Sequence, residues 1–167
     1  MHFVTTLSVP SPILAVVGLH GSTDFARGPA LIPYYAAAAA LPPVMVSPLF
    51  IIASLVHFGR DFQSITKYAA HAGESTILLH ASWLTVGWLG GIDLAAAASL
   101  FYMCIFHVPL HYYRQWVVGN RVAVVWTLFA TVVAAVVGLV AEPMVVVELP
   151  EWAQRVILAH VLTDTER

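Results

Sequence analysis

Charged side chains are scarce in this chain of 167 residues, in which Lys and Arg together number 7 and Asp and Glu together number 9. Soluble domains carry charges at roughly a quarter of their positions, whereas the charged fraction here is 10% and the hydrophobic fraction is 60%. The mean hydropathy is +0.84. The scarcity of charge excludes an ordinary water-soluble domain and predicts an integral membrane protein whose helices contact the lipid bilayer.

Basic clusters and cysteine pairs are also missing. The net charge is −2, and binding to phosphate backbones needs a dense basic surface, so we expect no nucleic-acid partner. The single cysteine, Cys104, excludes a disulfide within the chain. Because no linker or run of charge divides the sequence, we predict one integral membrane domain over residues 1–167, with an all-α fold.

Five long stretches without Asp, Glu, Lys or Arg predict the membrane spans. They are Phe3–Leu19, Gly28–Gly59, Ser75–Ile92, Leu94–Tyr113 and Val122–Ala141. The last three have 18, 20 and 20 residues, close to the roughly 20 that cross a bilayer. Gly28–Gly59 has 32 residues and contains Pro42-Pro43, so it forms either one long kinked span or two short spans.

Positive charges decide between five and six spans. If the chain turns at Pro42-Pro43, five basic residues fall on one side of the membrane and the opposite loops hold none. These are Arg27, Arg60, Lys67, Arg114 and Arg121. The positive-inside bias therefore predicts a polytopic helix bundle of about six spans, with the basic loops on the cytoplasmic, stromal or matrix side. Glu151–Leu162 is too short and too charged for a span, and we predict a short C-terminal helix there.

Histidine recurs in this apolar chain at a fixed distance from a second polar residue. Four pairs are separated by four positions: His20 with Asp24, His57 with Asp61, His160 with Asp164, and His107 with His111. On an α-helix, residues i and i+4 lie on one face about one turn apart, so each pair can converge on one point. Imidazole offers a nitrogen to a metal ion, and a carboxylate can accept the other ring N–H and so orient the ring.

The predicted topology brings four of these histidines to one membrane face. His20 and His57 end the first and third predicted spans, and His107 and His111 lie in the last turns of the fifth. We therefore predict that His20, His57, His107 and His111 bind one metal ion. The other predicted site residues are Asp24 and Asp61, which would orient the rings of their paired histidines, and His160 with Asp164 as a candidate additional pair.

A set of imidazole ligands narrows the choice of metal. Magnesium and calcium prefer oxygen ligands and structural zinc usually takes thiolates, whereas copper and iron accept imidazoles. Fe(II) that handles O₂ fits four histidines with neighbouring carboxylates best. Haem held by two histidines and chlorophyll held by one are the alternatives in a membrane.

The order of these motifs resembles that of one protein family. The matching elements are Gly18-Leu19-His20-Gly21 with Asp24, Val56-His57-Phe58-Gly59 with Asp61-Phe62, Ala70-His71-Ala72-Gly73, Phe106-His107 with His111, and the late His160 with Asp164. The same order is found in the Brp/Blh family of membrane β-carotene 15,15′-dioxygenases, along nearly the whole chain. That family usually carries a proline directly before the first of these histidines, and it is longer between His57 and His107.

The resemblance implies a bundle of about seven helices in which His20, His57, His107 and His111 bind the catalytic iron. It also implies the reaction, in which O₂ cleaves the central double bond of β-carotene to give two molecules of retinal. The composition leaves a second function open. The chain would then be a non-catalytic membrane subunit that binds carotenoid, chlorophyll or haem in a larger complex, such as a photosynthetic one, with neighbouring subunits covering its short apolar helices.

Overall fold

The computed structural model describes residues 7–65, 85, 88–90, 97–147 and 150–165. Helices account for most of these residues, which confirms the all-α prediction. The α-helices are α1 (Ser11–Leu19), α2 (Ile32–Ala40), α3 (Pro43–Ile65), α4 (Val108–Val117), α5 (Arg121–Ala141) and α6 (Glu151–Thr165). A 3₁₀ segment covers His20–Leu31, a π turn covers Met103–His107 after helical residues 97–102, and two short strands are β1 (Leu7–Pro10) and β2 (Met144–Val147).

The chain divides into two compact units, each built from two stretches of sequence. The first unit comprises Met1–Ala26 and Gly90–Glu148, and the second unit comprises Arg27–Leu89 and Leu149–Arg167. The boundary in the 3₁₀ segment lies beside Gly28, whose φ of 55° interrupts the helical backbone. Only glycine adopts such a conformation readily, because it lacks a Cβ. The prediction of a single domain over the whole chain stays a prediction.

In the first unit, α1 packs closely on the end of α5. A Cβ added to Gly138 of α5 would lie only 2.6 Å from Cβ of Ser11, so this approach requires glycine. The Ser11 hydroxyl donates a hydrogen bond to the Glu142 carbonyl, and the Ser11 N–H donates to the Pro143 carbonyl at 3.1 Å. The antiparallel pairing of β1 with β2 continues this contact, with Leu7 opposite Val147. The start of α1 is therefore anchored by both backbone and side chain.

In the second unit, α6 packs against both α2 and α3, and Arg155 of α6 closes the end of α2. The Arg155 guanidinium donates hydrogen bonds to three carbonyls at this end, at 2.7, 2.9 and 3.0 Å. These belong to Ala38, Ala39 and Leu41. Glu151 holds the same guanidinium in an ion pair of 2.6 Å. A cation here satisfies carbonyls that have no partner within the helix and complements its dipole.

The uncharged stretch Gly28–Gly59 is broken into separate helices at Pro42-Pro43. Helix α2 ends at Ala40, Leu41 is extended with ψ of 139°, and α3 begins at Pro43. A residue before proline avoids the α conformation, and proline itself fits the first turn of a helix. The sequence therefore stops one helix and starts the next within three residues.

Two helices of the described chain are long and apolar enough to cross a membrane: Pro43–Asp61 and Arg121–Ala141, with mean hydropathies of 1.4 and 2.5. The second of these agrees with the predicted span Val122–Ala141. The predicted span Phe3–Leu19 contains a nine-residue helix, because β1 occupies Leu7–Pro10 and the helix begins at Ser11. Nine residues reach about 14 Å, less than half of a hydrocarbon core.

Some predicted features lie outside the described residues. Of the predicted span Ser75–Ile92, only residues 85 and 88–90 are described, and both Lys67 and His71 lie outside the described ranges. Two helices of the described residues are long enough to cross a bilayer, so the six-span arrangement stays a prediction.

Candidate metal centre

His20 stands where α1 ends and the 3₁₀ segment begins. Its side chain is buried, and its Nδ1 lies 2.6 Å from the carbonyl oxygen of Val17, three residues earlier. A carbonyl oxygen can only accept a hydrogen bond, so Nδ1 carries the proton and donates it. A neutral ring has one protonated nitrogen. His20 therefore presents the lone pair of Nε2 to its surroundings.

His107 is the last residue of the π turn Met103–His107. The Val108 N–H donates to the Met103 carbonyl, five residues back. Pro109 lacks the N–H that would donate to the Ile105 carbonyl in an α-helix, and the widened turn accommodates this loss. Such π turns within helices are frequent at functional sites. The His107 side chain is buried.

The ring nitrogens of His20 and His107 meet in the first unit. The two Nε2 atoms are 3.1 Å apart, with ring centroids 5.0 Å apart and the ring planes at 84°. Because Nε2 of His20 is an acceptor, Nε2–H of His107 can donate to it. Two imidazoles bound side by side to one ion, each at about 2.1 Å and at a right angle, would place their nitrogens about 3.0 Å apart. The observed separation suits either arrangement.

His111 is the third buried histidine of the first unit, one turn after His107 on α4. Its ring centroid lies 5.4 Å from that of His20 and 6.3 Å from that of His107. Its Nε2 lies 2.7 Å from the hydroxyl oxygen of Thr23. Three of the four predicted ligands are thus brought together within one unit, and Nε2 of His111 is engaged by Thr23.

Thr23 is a site residue that the spacing analysis missed. It is completely buried, and its hydroxyl also donates to the His20 carbonyl at 3.1 Å. A signal was present in the sequence, because His20 and His160 both begin the pattern His-x-x-Thr-Asp. Thr163 likewise donates its hydroxyl to the carbonyl of His160, at 2.7 Å.

In the second unit, His57 and His160 are neighbours. Both are buried, and their ring centroids are 5.5 Å apart with the planes at 75°. Arg27, which lies in the second half of the 3₁₀ segment, donates to the Thr163 carbonyl at 2.6 Å and so links this part of the segment to the end of α6. The predicted additional residue His160 therefore lies beside a predicted ligand. The side chain of its partner, Asp164, lies outside the described residues.

The two predicted aspartates differ in their relation to the preceding histidine. His57 and Asp61 lie one turn apart on α3, and both are buried. Asp24 is also buried, but His20 and Asp24 lie in a 3₁₀ segment. With three residues per turn, position i+3 shares the face of position i and position i+4 does not. The predicted α-helical alignment of His20 with Asp24 is therefore wrong, and Thr23 occupies the aligned position.

Among the described residues, the buried histidines with a ring nitrogen suited to a metal ion include His20 and His107 in the first unit and His160 in the second. Each offers one ring nitrogen as a ligand atom. Buried histidines of this chain are therefore suited to bind a metal ion.

Comparisons with protein families, curated proteins and solved structures gave no match to this chain. The likeness to the Brp/Blh dioxygenases therefore rests on the motifs of the sequence alone.

Proposed function

We propose that this protein is a membrane-embedded non-haem iron dioxygenase that cleaves β-carotene centrally into two retinals. The observation that carries the proposal is the 3.1 Å separation of the His20 and His107 Nε2 atoms among buried side chains. Burying two imidazoles against each other in a chain with so few polar residues is costly unless both nitrogens are satisfied. An ion shared by the two rings satisfies both.

The residues of the first unit are suited to hold such an ion. The Val17 carbonyl keeps the proton of His20 on Nδ1, so the lone pair of this ring lies on Nε2. The π turn places His107 beside it, and His111 stands one turn further along α4. We propose these three histidines as ligands, and the sequence adds His57 of the second unit as the fourth. We propose that Asp61 orients the ring of His57, which lies one turn before it on α3.

The choice of iron follows from the ligands and from the resemblance. His20, His107 and His111 would hold Fe(II), and the bound ion would supply the activation of O₂ for attack on an electron-rich double bond. The protein's part is to hold the ion in a dry site and to keep water away from the polyene, which buried rings and apolar helices do. The 3.1 Å between the Nε2 atoms of His20 and His107 does not fit a haem held between these two histidines.

The proposed membrane setting rests on exposed apolar surface. Valine, tryptophan and phenylalanine side chains project from α5 on several sides, including Val122, Trp126, Phe129 and Val140. Lipid or an apolar substrate would cover such a surface. We propose that Pro43–Asp61 and Arg121–Ala141 cross the membrane, with the basic residues at their ends, Arg60 and Arg121, facing the cytoplasm, stroma or matrix.

A second candidate function draws on the same surface. In each of the two candidate spans, only 17% of the most apolar stretch is buried within the protein. Neighbouring subunits, instead of lipid, would then cover the exposed side chains of these helices. The protein would then bind carotenoid, chlorophyll or haem without catalysis, as part of a larger membrane complex.

Three measurements on protein purified from membranes distinguish the dioxygenase from the non-catalytic subunit. They are elemental analysis, an optical spectrum, and an assay for retinal released from β-carotene under air. The dioxygenase predicts about one iron per chain, no Soret band and formation of retinal. Bound pigment without iron and without retinal would favour the subunit. A protein with neither metal nor pigment would contradict both proposals.

A further inference from the structure

We propose that Thr23 is a positioning residue that fixes the tautomer of His111, so that the lone pair of this ring lies on Nδ1 and not on Nε2. The inference deepens the proposed metal site and rests on it for its functional meaning. The predicted ligands of the first unit would then present different ring nitrogens, Nε2 from His20 and Nδ1 from His111.

The Thr23 hydroxyl has one proton and two close polar neighbours. The hydroxyl oxygen lies 3.1 Å from the His20 carbonyl oxygen and 2.7 Å from Nε2 of His111. The carbonyl can only accept, so the Thr23 proton must point to it. Pointing that proton at His111 instead would leave two oxygen lone pairs facing each other in a buried place, which is costly.

With its proton committed, Thr23 can only accept from His111. Nε2 of His111 must therefore carry the ring proton and donate it, since both atoms are buried and 2.7 Å apart. In a neutral imidazole the second nitrogen is then an acceptor. The lone pair of His111 accordingly lies on Nδ1.

The backbone reinforces this choice. In the 3₁₀ segment, residue i+3 stacks above residue i, so a hydroxyl at position 23 reaches the carbonyl of His20 without strain. Ser22 does the same one residue earlier, donating to the Leu19 carbonyl at 2.7 Å. Ser22 then contacts the hydroxyl of Thr127, at 3.0 Å. Thr23 and Ser22 thus share a local bond and differ in their distant partner.

This difference supplies a matched control. Thr23→Val keeps the shape of the side chain and removes the hydroxyl, Thr23→Ser keeps the hydroxyl and removes a methyl group, and Ser22→Ala removes the neighbouring hydroxyl. The readout is nitrogen NMR of the purified protein labelled with ¹⁵N-histidine, without added metal and at a pH where imidazole is neutral. Comparison with His111→Asn assigns the signals of His111.

The wild-type protein and Thr23→Ser should show His111 protonated on Nε2, and so should Ser22→Ala. Thr23→Val should lose this preference and weaken metal binding by roughly 10–100-fold. A wild-type His111 protonated on Nδ1 would overturn the inference, even if Thr23→Val does not fold. So would a Thr23→Val signal identical to that of the wild type.

The result also separates this inference from the proposed function. If the tautomer responds as expected but titration with Fe(II) finds no binding in the wild type, the proposed function fails and the role of Thr23 in fixing the ring stands. If iron binds and the tautomer does not respond, only the role of Thr23 fails.

Discussion

Two histidine–aspartate pairs with the same spacing behave differently in the two units. His57 and Asp61 lie on the α-helix α3, where four residues make about one turn. His20 and Asp24 lie in a 3₁₀ segment, where three residues make a turn. The spacing is identical, but it puts the aspartate in line with its histidine only in the second unit.

The residues inside each pair explain the difference. Between His20 and Asp24, the hydroxyls of Ser22 and Thr23 donate to the carbonyls three residues earlier. Hydroxyl side chains that bond the backbone in this way compete with the α-helical pattern. Between His57 and Asp61 the chain has Phe58, Gly59 and Arg60, which lack hydroxyls. The residues between a histidine and an aspartate therefore decide, through the type of helix they favour, whether the two side chains lie on one face.

The largest expected effect comes from removing a histidine of the first unit. His107→Ala should lower iron affinity by more than about 100-fold, because it deletes one of the two nitrogens that meet at 3.1 Å. Phe106→Leu, which changes the exposed neighbour of His107, should leave affinity unchanged. Equal affinity of His107→Ala and wild type in an iron titration would break the account of the first unit.

His57→Ala tests the contribution of the second unit. If His57 is the fourth ligand, as the sequence predicts, its loss should also exceed about 100-fold. A loss of less than about threefold in the same titration would show that the second unit supplies no ligand through His57. The metal site would then belong to the histidines of the first unit.

Alanine substitutions of the two aspartates compare the two units directly through the loss of iron affinity. Asp61→Ala should weaken iron binding by roughly 10–100-fold, since Asp61 lies one turn beyond His57 and can orient its ring. Asp24→Ala should have a smaller effect, because the 3₁₀ segment turns it away from the face of His20. Asparagine at each position serves as the control of matched size. Equal losses in the two alanine variants would mean that local helix type does not govern the role of the carboxylate.

The smallest expected effect comes from disturbing the packing of α1, the helix that ends just before His20, on α5. Gly138→Ala should lower the free energy of unfolding by about 1–3 kcal/mol, because the new Cβ would meet Ser11 at 2.6 Å. Gly18→Ala is the matched control: nothing lies within 4 Å of its added Cβ, and alanine favours a helix by about 0.5–1 kcal/mol. Denaturation in detergent micelles measures both. A Gly138→Ala protein as stable as Gly18→Ala would contradict the close packing of α1 on α5.

Much of the helical organisation was accessible from the sequence. Pro42-Pro43 predicted the break between α2 and α3 because proline restricts both itself and the residue before it. The uncharged run Val122–Ala141 predicted α5 to within one residue. The burial of the predicted histidines also agrees with their selection as the unusual polar groups of an apolar chain.

Local departures from the α-helix were not accessible from hydropathy or spacing. The apolar run Phe3–Leu19 predicted a span, but Pro10 and Pro12 leave a strand followed by a nine-residue helix. The 3₁₀ segment after Leu19 depends on hydroxyl-to-carbonyl bonds, and the π turn before Val108 depends on a missing N–H at Pro109. Because of the 3₁₀ segment, Thr23 and not Asp24 lies on the same face as His20.

X-ray absorption at the iron edge of the purified protein tests most directly whether histidine nitrogens bind iron, because it reports the atoms bound to the ion. The account predicts three or four nitrogen neighbours at about 2.0–2.3 Å, with the outer scattering of imidazole rings, reduced by one ring in His107→Ala. Oxygen or sulfur neighbours without imidazole scattering, or a spectrum that His107→Ala leaves unchanged, would contradict it.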